Sequence, residues 1–247
     1  MVLIIFNNEI MMAEVNEKPN IKASFTQFFD EMNILKSEKK ARVNTAMDFR
    51  KWLNDFYDGI LLDLINGEFF GCYTKYIEEF VGFYIDTVNK VDKNIIYDSD
   101  VIAKANQVAE QVMNTTKSII TNECETSVEY HYAVTMGTKV DEEIIPSYVK
   151  DSLSADTWRV EETAENESLW VHNYIKHKKM VEEGQLTHTW ETMKDERVRS
   201  KHVAVDGQTK PINEPFIVDG YKLMFPGDTL TSNPPGELTI LCRCVEV

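Results

Sequence analysis

The sequence predicts an α+β protein: a predominantly α-helical N-terminal part followed by a small mixed α+β C-terminal domain. Two observations carry this. Residues 1–183 hold five glycines and two prolines, whereas residues 184–247 hold five of each in about a third of that length. Long stretches without turn-formers permit helices, and closely spaced ones punctuate short strands and loops. Apolar residues in the first part also recur every three or four positions, as on one face of a helix. The predicted layout is an N-terminal extension over 1–20, an acidic helical domain over 21–183 and a C-terminal domain over 184–247.

The extension opens on Met1-Val2-Leu3-Ile4-Ile5-Phe6. This run is too short to span a membrane and lacks the basic leader and cleavage site of a secretory signal. The first clear helix carries Phe49, Trp52, Leu53, Phe56, Ile60 and Leu64, and Asn66-Gly67 ends it. A second carries Tyr73, Ile77, Phe80, Val81, Tyr84 and Val88. Ser99 is the expected N-cap of a third, with Ile102, Ala105, Val108, Ala109, Val112, Thr116 and Ile119 on its buried face. A last helix is expected from Ala155 to Glu183, with Gly184 as the left-handed residue past its end.

Beyond Gly184 the pattern changes. Strands are expected over Leu186–Trp190, Tyr221–Phe225 and Leu238–Cys244, and a short helix over Asp195–Val203 with Thr192 or Asp195 near its N-cap. Asp206-Gly207 is a turn signal. A small unit of helix and strands is the natural product of such elements.

The formal charge is −15. Residues 184–247 contain 7 Lys/Arg and 9 Asp/Glu; by difference, residues 1–183 contain 19 and 32 and so carry a net −13. That balance argues against a protein that coats DNA, which needs clustered cations to displace counterions. The local basic stretch Lys176, His177, Lys178 and Lys179 reads as a solvated helix face or as a docking surface for an acidic partner. Four cysteines are too few for a disulfide scaffold of this length. Cys72 and Cys124 fit helical patterns as small core residues.

Cys242 and Cys244 would share one face of a strand, and His202 lies upstream on the short helix. Two thiolates and an imidazole are three good zinc ligands; a closed structural site takes a fourth, for which His188, Asp206 and Asp228 are the candidates. The competing reading is packing, with His202, Asp195, Arg197, Arg199, Arg243 and the Cys-Arg-Cys segment as a polar staple. On that reading His202→Ala or Cys242→Ser destabilises the C-terminal domain. Trp190 is expected to be a buried anchor between the two parts. There is no phosphate-binding loop, nucleophile elbow or His-Glu-Xaa-Xaa-His, so no catalytic residue is assigned.

In order, the block holds Trp190, Thr192, Asp195, Glu196, Arg197, Val198, Arg199, His202, Asp206, Gly207, Phe216, Pro226, Gly227, Asp228, Cys242, Arg243 and Cys244. This series resembles the C-terminal domain of the phage Mu F-like minor head proteins, or phage head morphogenesis proteins. The likeness covers residues 160–247, with Ala164-Glu165-Asn166-Glu167 and Asn173 matching more loosely. It implies a noncatalytic virion component of a tailed bacteriophage or prophage, acting in procapsid assembly and DNA ejection. The implied partners are portal protein, major capsid or scaffold proteins and packaged DNA, with no membrane. The implied location is the head interior or portal vertex, and the host cytoplasm during assembly. Relatives with cysteines in place of Arg199 and His202 look like zinc knuckles; this chain keeps only His202, Cys242 and Cys244. The alternative is a zinc-binding adaptor or nucleic-acid-contacting module without catalysis. No cofactor is assigned, zinc being the one candidate.

Overall fold

The computed structural model describes residues 2–6, 9–13, 21–95, 98–124, 127–153 and 158–247, with side chains from residue 37 onward except at 70, 123, 124 and 158. The core role expected of Cys124 therefore lies outside the described side chains. Two strands absent from the sequence reading, β1 (Val2–Phe6) and β2 (Glu9–Ala13), pair antiparallel. Residues 42–247 form a compact unit of their own.

The helices are α1 (Ile21–Asn66), α2 (Tyr73–Val91), α3 (Ser99–Cys124), α4 (Val128–Thr135), α5 (Ser147–Leu153) and α6 (Trp158–Glu182). The spacing read from the sequence marks the buried faces of the first two. Phe49, Leu53, Phe56, Ile60 and Leu64 of α1 meet Phe80, Tyr84 and Val88 of α2 in one core. Trp52 lies flat against Phe83, with ring centroids 4.4 Å apart and planes 7° from parallel, an arrangement that adds to the area buried.

Three details differ from expectation. On α3 the expected Ala105, Val108, Ala109, Val112 and Thr116 are buried, but Val101, Met113 and Ile120 are buried as well and Ile102 is exposed. The cap of α3 is Asp98 rather than Ser99, because Asp98 accepts the Asp100 N–H on its carboxylate at 2.9 Å and the Ile102 N–H on its carbonyl at 3.1 Å. A carboxylate there also faces the positive end of the helix dipole. The short helices α4 and α5 add to the core through Tyr130, Val134, Val149 and Leu153; eight residues or fewer give too little periodicity to read.

Gly67 ends α1 with φ +75°. The segment after α4 runs close over it: a Cβ at Gly67 would stand 2.7 Å from the Gly137 carbonyl oxygen and 2.8 Å from that of Thr138. The crossing is fixed by the Val140 N–H, which donates to the Ile65 carbonyl at 2.8 Å. Gly67→Ala is expected to cost about 3 kcal/mol, roughly 1–2 from the left-handed backbone and the rest from displacing the crossing segment. Chemical denaturation checks this, and a loss below about 1 kcal/mol would contradict it.

Helix α6 is central. Val160, Ala164, Trp170, Val171, Tyr174 and Ile175 are buried, and so are the polar Glu167, Ser168, Asn173 and His177. It closes at Gly184, φ +73°, where the Gln185 N–H reaches back to the Met180 carbonyl at 3.0 Å. In the basic stretch near its end, two of the three lysines are engaged in ion pairs and the histidine is buried. Lys178 pairs with Asp98 at 2.9 Å, Lys179 with Asp92 at 3.1 Å, and His177 turns inward. The acidic chain consumes these cations itself.

His172, also on α6, is held neutral. Burial pushes its imidazole down to about 4, and the nearby Arg42 and Lys179 charges add to this. The unfolded chain takes up a proton near the ordinary 6.5. The stabilising difference is therefore complete above pH 6.5 and is lost as pH falls through about 4. The slope within that window is at most about 1.4 kcal/mol per pH unit, reduced by the ring's partial exposure. Urea midpoints measured at pH 7 and 5 should fall further for the native chain than for His172→Gln; equal falls would refute this.

The remaining elements are small. Strand β3 (Thr187–Glu191) pairs antiparallel with β4 (Thr209–Pro211) and β7 (Val245–Glu246), giving the order β4-β3-β7. A separate hairpin joins β5 (Phe216–Val218) to β6 (Tyr221–Leu223) through Asp219-Gly220, both with positive φ. Helices α7 (Ser200–Val203) and α8 (Gly236–Thr239) are single turns. Two expectations fail here. The helix expected over Asp195–Val203 shrinks to its last four residues, capped by Arg199 and not by Thr192 or Asp195. The strand expected over Leu238–Cys244 is a helical turn followed by loop, with Leu241 at φ +52°; only Val245–Glu246 pairs as strand. Among the described residues, no helix is long and apolar enough to cross a membrane.

Candidate structural site at the carboxy-terminal segment

The closing segment is held by hydrogen bonds from both directions. The Leu241 N–H donates to the Asn166 side-chain oxygen at 3.0 Å, and Arg199 donates to the Ile240 carbonyl. Asn173 donates to the Pro226 and Cys244 carbonyls at 2.8 and 3.2 Å. Asn166 and Asn173 lie on α6, so this helix grips the last residues. Arg243 makes the forked pair with Asp195 at 2.7 and 2.8 Å, a geometry suited to guanidinium and carboxylate. Arg243 holds the Asp195 carboxyl down at about 2. Arg197 is mostly exposed, and its pairing with Asp195 is longer, 3.6 Å.

These tethers place Cys242 and Cys244 against His202. The His202 Nδ1 lies 3.6 Å from the Cys242 sulfur and 3.4 Å from that of Cys244. All three residues are buried. The Cys242 hydrogen bond lowers the Cys244 thiol to about 5, with His202 assisting, while that same interaction and burial push the Cys242 thiol up. The His202 Nε2 is buried without a partner.

Trp190 forms the floor, fully buried, with its ring edge-on to His202 at 5.5 Å and to Phe216 at 5.4 Å. With Val205, Val218, Leu223, Leu238 and the two cysteines, these aromatics form a second core cluster. Trp190 is thus the centre of the C-terminal cluster rather than an anchor between the two parts. Phe225 joins the helical core, packed on Trp170 and Tyr174 at 5.9 and 5.8 Å, with Met224 and Leu230 against the same core.

The other motif residues shape the backbone. Asp206 accepts the Thr192 N–H at 2.8 Å, which lowers its carboxyl. Gly207, φ +72°, returns its N–H to the Trp190 carbonyl at 2.8 Å. The Pro226-Gly227-Asp228 turn has Gly227 at φ +89°. Asp228, buried, gathers the N–H groups of Met224, Leu230 and Thr231 at 2.8–3.2 Å.

The same bonds decide whether a fourth metal ligand joins His202, Cys242 and Cys244. His188 faces Glu246, and Asp206 and Asp228 are spent on backbone N–H groups. Among the described residues, the cluster of ligand atoms stops at three. A cleft of about 20 Å³ opens on His202 and Cys244 beside Arg199 and Arg243, room for about one water. The residues therefore fit a zinc ion with three protein ligands and one exchangeable position better than a closed four-ligand site.

Sequence reasoning did not find a second buried constellation. Glu246 on β7 meets His188 of β3, and also His177 of α6 at 2.8 Å. Burial raises the Glu246 carboxyl, but the two histidine contacts outweigh it and hold it below its ordinary value. The available signal was a glutamate between two valines at the end of the chain.

The profile of the phage Mu protein F like family matches residues 126–247. The match takes in α4, α5 and α6 as well as the motif block, reaching upstream of the residue-160 limit of the motif resemblance. No curated protein and no solved structure matches the chain. Asn166 and Asn173, the loosest part of the motif, are the side chains by which α6 holds the closing segment. Through residues 126–247, then, the chain belongs to the phage Mu protein F like family, a family of phage head morphogenesis proteins.

Proposed function

We propose that this protein is a noncatalytic minor head component of a tailed bacteriophage or prophage, acting in procapsid assembly at or near the portal and in DNA ejection. The observation that carries the reading is the family match, over a block whose polar side chains act on one another and on backbone groups. Such a block fixes a surface rather than presenting a reacting centre. The acidity of residues 1–183 favours portal, major capsid or scaffold protein as partner over packaged DNA. The protein is then found in the host cytoplasm during assembly and in the head interior or portal vertex afterwards. Mass spectrometry of purified particles should detect it at low copy number beside the portal protein. Particles of normal composition that lack it would overturn the proposal.

The convergence of His202, Cys242 and Cys244 supports a zinc-binding module as a second reading. Zinc bound there would cross-link the helical turn of α7 to the closing segment and hold both thiols deprotonated. Protein purified without added metal should then contain zinc. Less than about a tenth of an equivalent per chain removes this reading, since structural sites fill.

A further inference from the structure

We propose that His177, His188 and Glu246 form a divalent transition-metal site separate from the cysteines. Their three ligand atoms lie within 4.8 Å of one another, and all three residues are buried. They come from α6, β3 and β7, so an ion there would lock the last strand to the central helix. The inference stands apart from the head-protein reading and from any zinc at Cys242 and Cys244.

Proton accounting supports it. The His188 Nε2 donates to the Glu214 carbonyl at 2.9 Å; a carbonyl only accepts, so this nitrogen carries the hydrogen. The same ring directs Nδ1 at the Glu246 carboxylate. Without a metal, that contact requires a second ring proton and a buried imidazolium, or a protonated Glu246. With a metal, the neutral ring suffices: Nε2–H to a carbonyl and the Nδ1 lone pair to the ion is the usual posture of a ligating histidine. The second Glu246 oxygen is buried with no hydrogen-bond partner, and an ion bound by both carboxylate oxygens would satisfy it. Two imidazoles and a carboxylate suit zinc and its neighbours rather than calcium or magnesium. The ligand atoms would spread outward from hydrogen-bonding to metal-bonding distance.

The test is histidine ¹⁵N NMR of the full chain during titration with zinc, combined with metal analysis after equilibrium dialysis. The expected result is that His177 and His188 both shift at Nδ1 and that His188 settles as the neutral Nε2–H tautomer. His177→Ala should lower bound zinc by about one equivalent per chain while leaving any His202 response intact. His177 is chosen because it is the most solvent-accessible of the three, and circular dichroism verifies the fold. Unchanged His177 and His188 resonances at saturating zinc would overturn the proposal and leave a hydrogen-bonded ion triad. A His202 response alone would assign the metal to the cysteines and also overturn it. Loss of the His202 response with retention of the other two would retire the cysteine reading without touching this one.

Discussion

Trp190→Ala should lower the stability of the folded chain by about 3–5 kcal/mol, the range for truncating a buried aromatic. The indole is fully buried at the centre of a cluster of only eight residues. Its neighbours have little freedom to collapse into the space. Phe216 is pinned by the β5–β6 hairpin, and His202 by the single turn of α7 and its two sulfur contacts. The Trp190 backbone is bonded to Gly207 and Gln208, and its neighbour Thr189 to Val247 beyond β7. A cavity therefore persists, and cavities of this kind add to the lost transfer energy. A domain with a total stability of about 5–15 kcal/mol would lose much of it. Urea unfolding monitored by circular dichroism measures the loss. Faster modification of Cys242 and Cys244 by a thiol reagent would localise it, because both sulfurs pack in the same cluster. A loss below about 1 kcal/mol, with both thiols still protected, would mean that the cluster is not a cooperative core.

What the sequence allowed one to read follows from where the physics is local. The stripes on α1 and α2 were legible because a helix repeats its geometry, so that Phe49, Leu53, Phe56 and Ile60 announce one face by spacing alone. On α3 the face was legible at Ala105, Val108, Ala109 and Val112, but Ile102 was assigned to it in place of Val101 because both are apolar and only the packing partner chooses between them. The closing segment was illegible for a different reason. Residues Leu238 to Cys244 alternate like a strand, but Leu241 adopts a left-handed backbone, which few leucines do. That choice is imposed by Asn166 and Arg199, which are distant in sequence. The Cys-His convergence survived the error because it depended on where the segment ends up, not on its strand character. The His177–His188–Glu246 cluster left no signature beyond a glutamate between two valines, since its members lie on three elements and only the docking of β7 brings them together.

A second large effect is expected at Lys104, whose burial is hardest to explain from sequence. This lysine is 3% exposed on α3, and its ammonium lies 3.4 Å from Glu167, 3.3 Å from the Thr229 hydroxyl and 5.5 Å from the centre of the Trp170 ring. Glu167, on α6, also accepts the Tyr84 hydroxyl and the Asn166 amide at 2.8 Å each. The carboxylate is thus a hub linking α2, α3 and α6, and Asn166 extends it to Leu241. Lys104→Met keeps the chain length and removes the charge, leaving a buried carboxylate with no cation. The expected cost is about 3–5 kcal/mol, the penalty for orphaning one member of a buried pair. Adding Glu167→Gln should recover at least about half of it, because the amide still accepts from Tyr84 and no longer carries an unpaired charge. The recovery separates two accounts of the site. If Lys104 matters for its packed methylene stem, Lys104→Met is mild and the second substitution adds its own cost. If it matters as the counter-charge, the single variant is worse than the double. A thermodynamic cycle with coupling below about 1 kcal/mol would favour the first account. Strong coupling would identify the pair as the electrostatic joint that fixes α3 against α6, and through Asn166 sets where the closing segment lies.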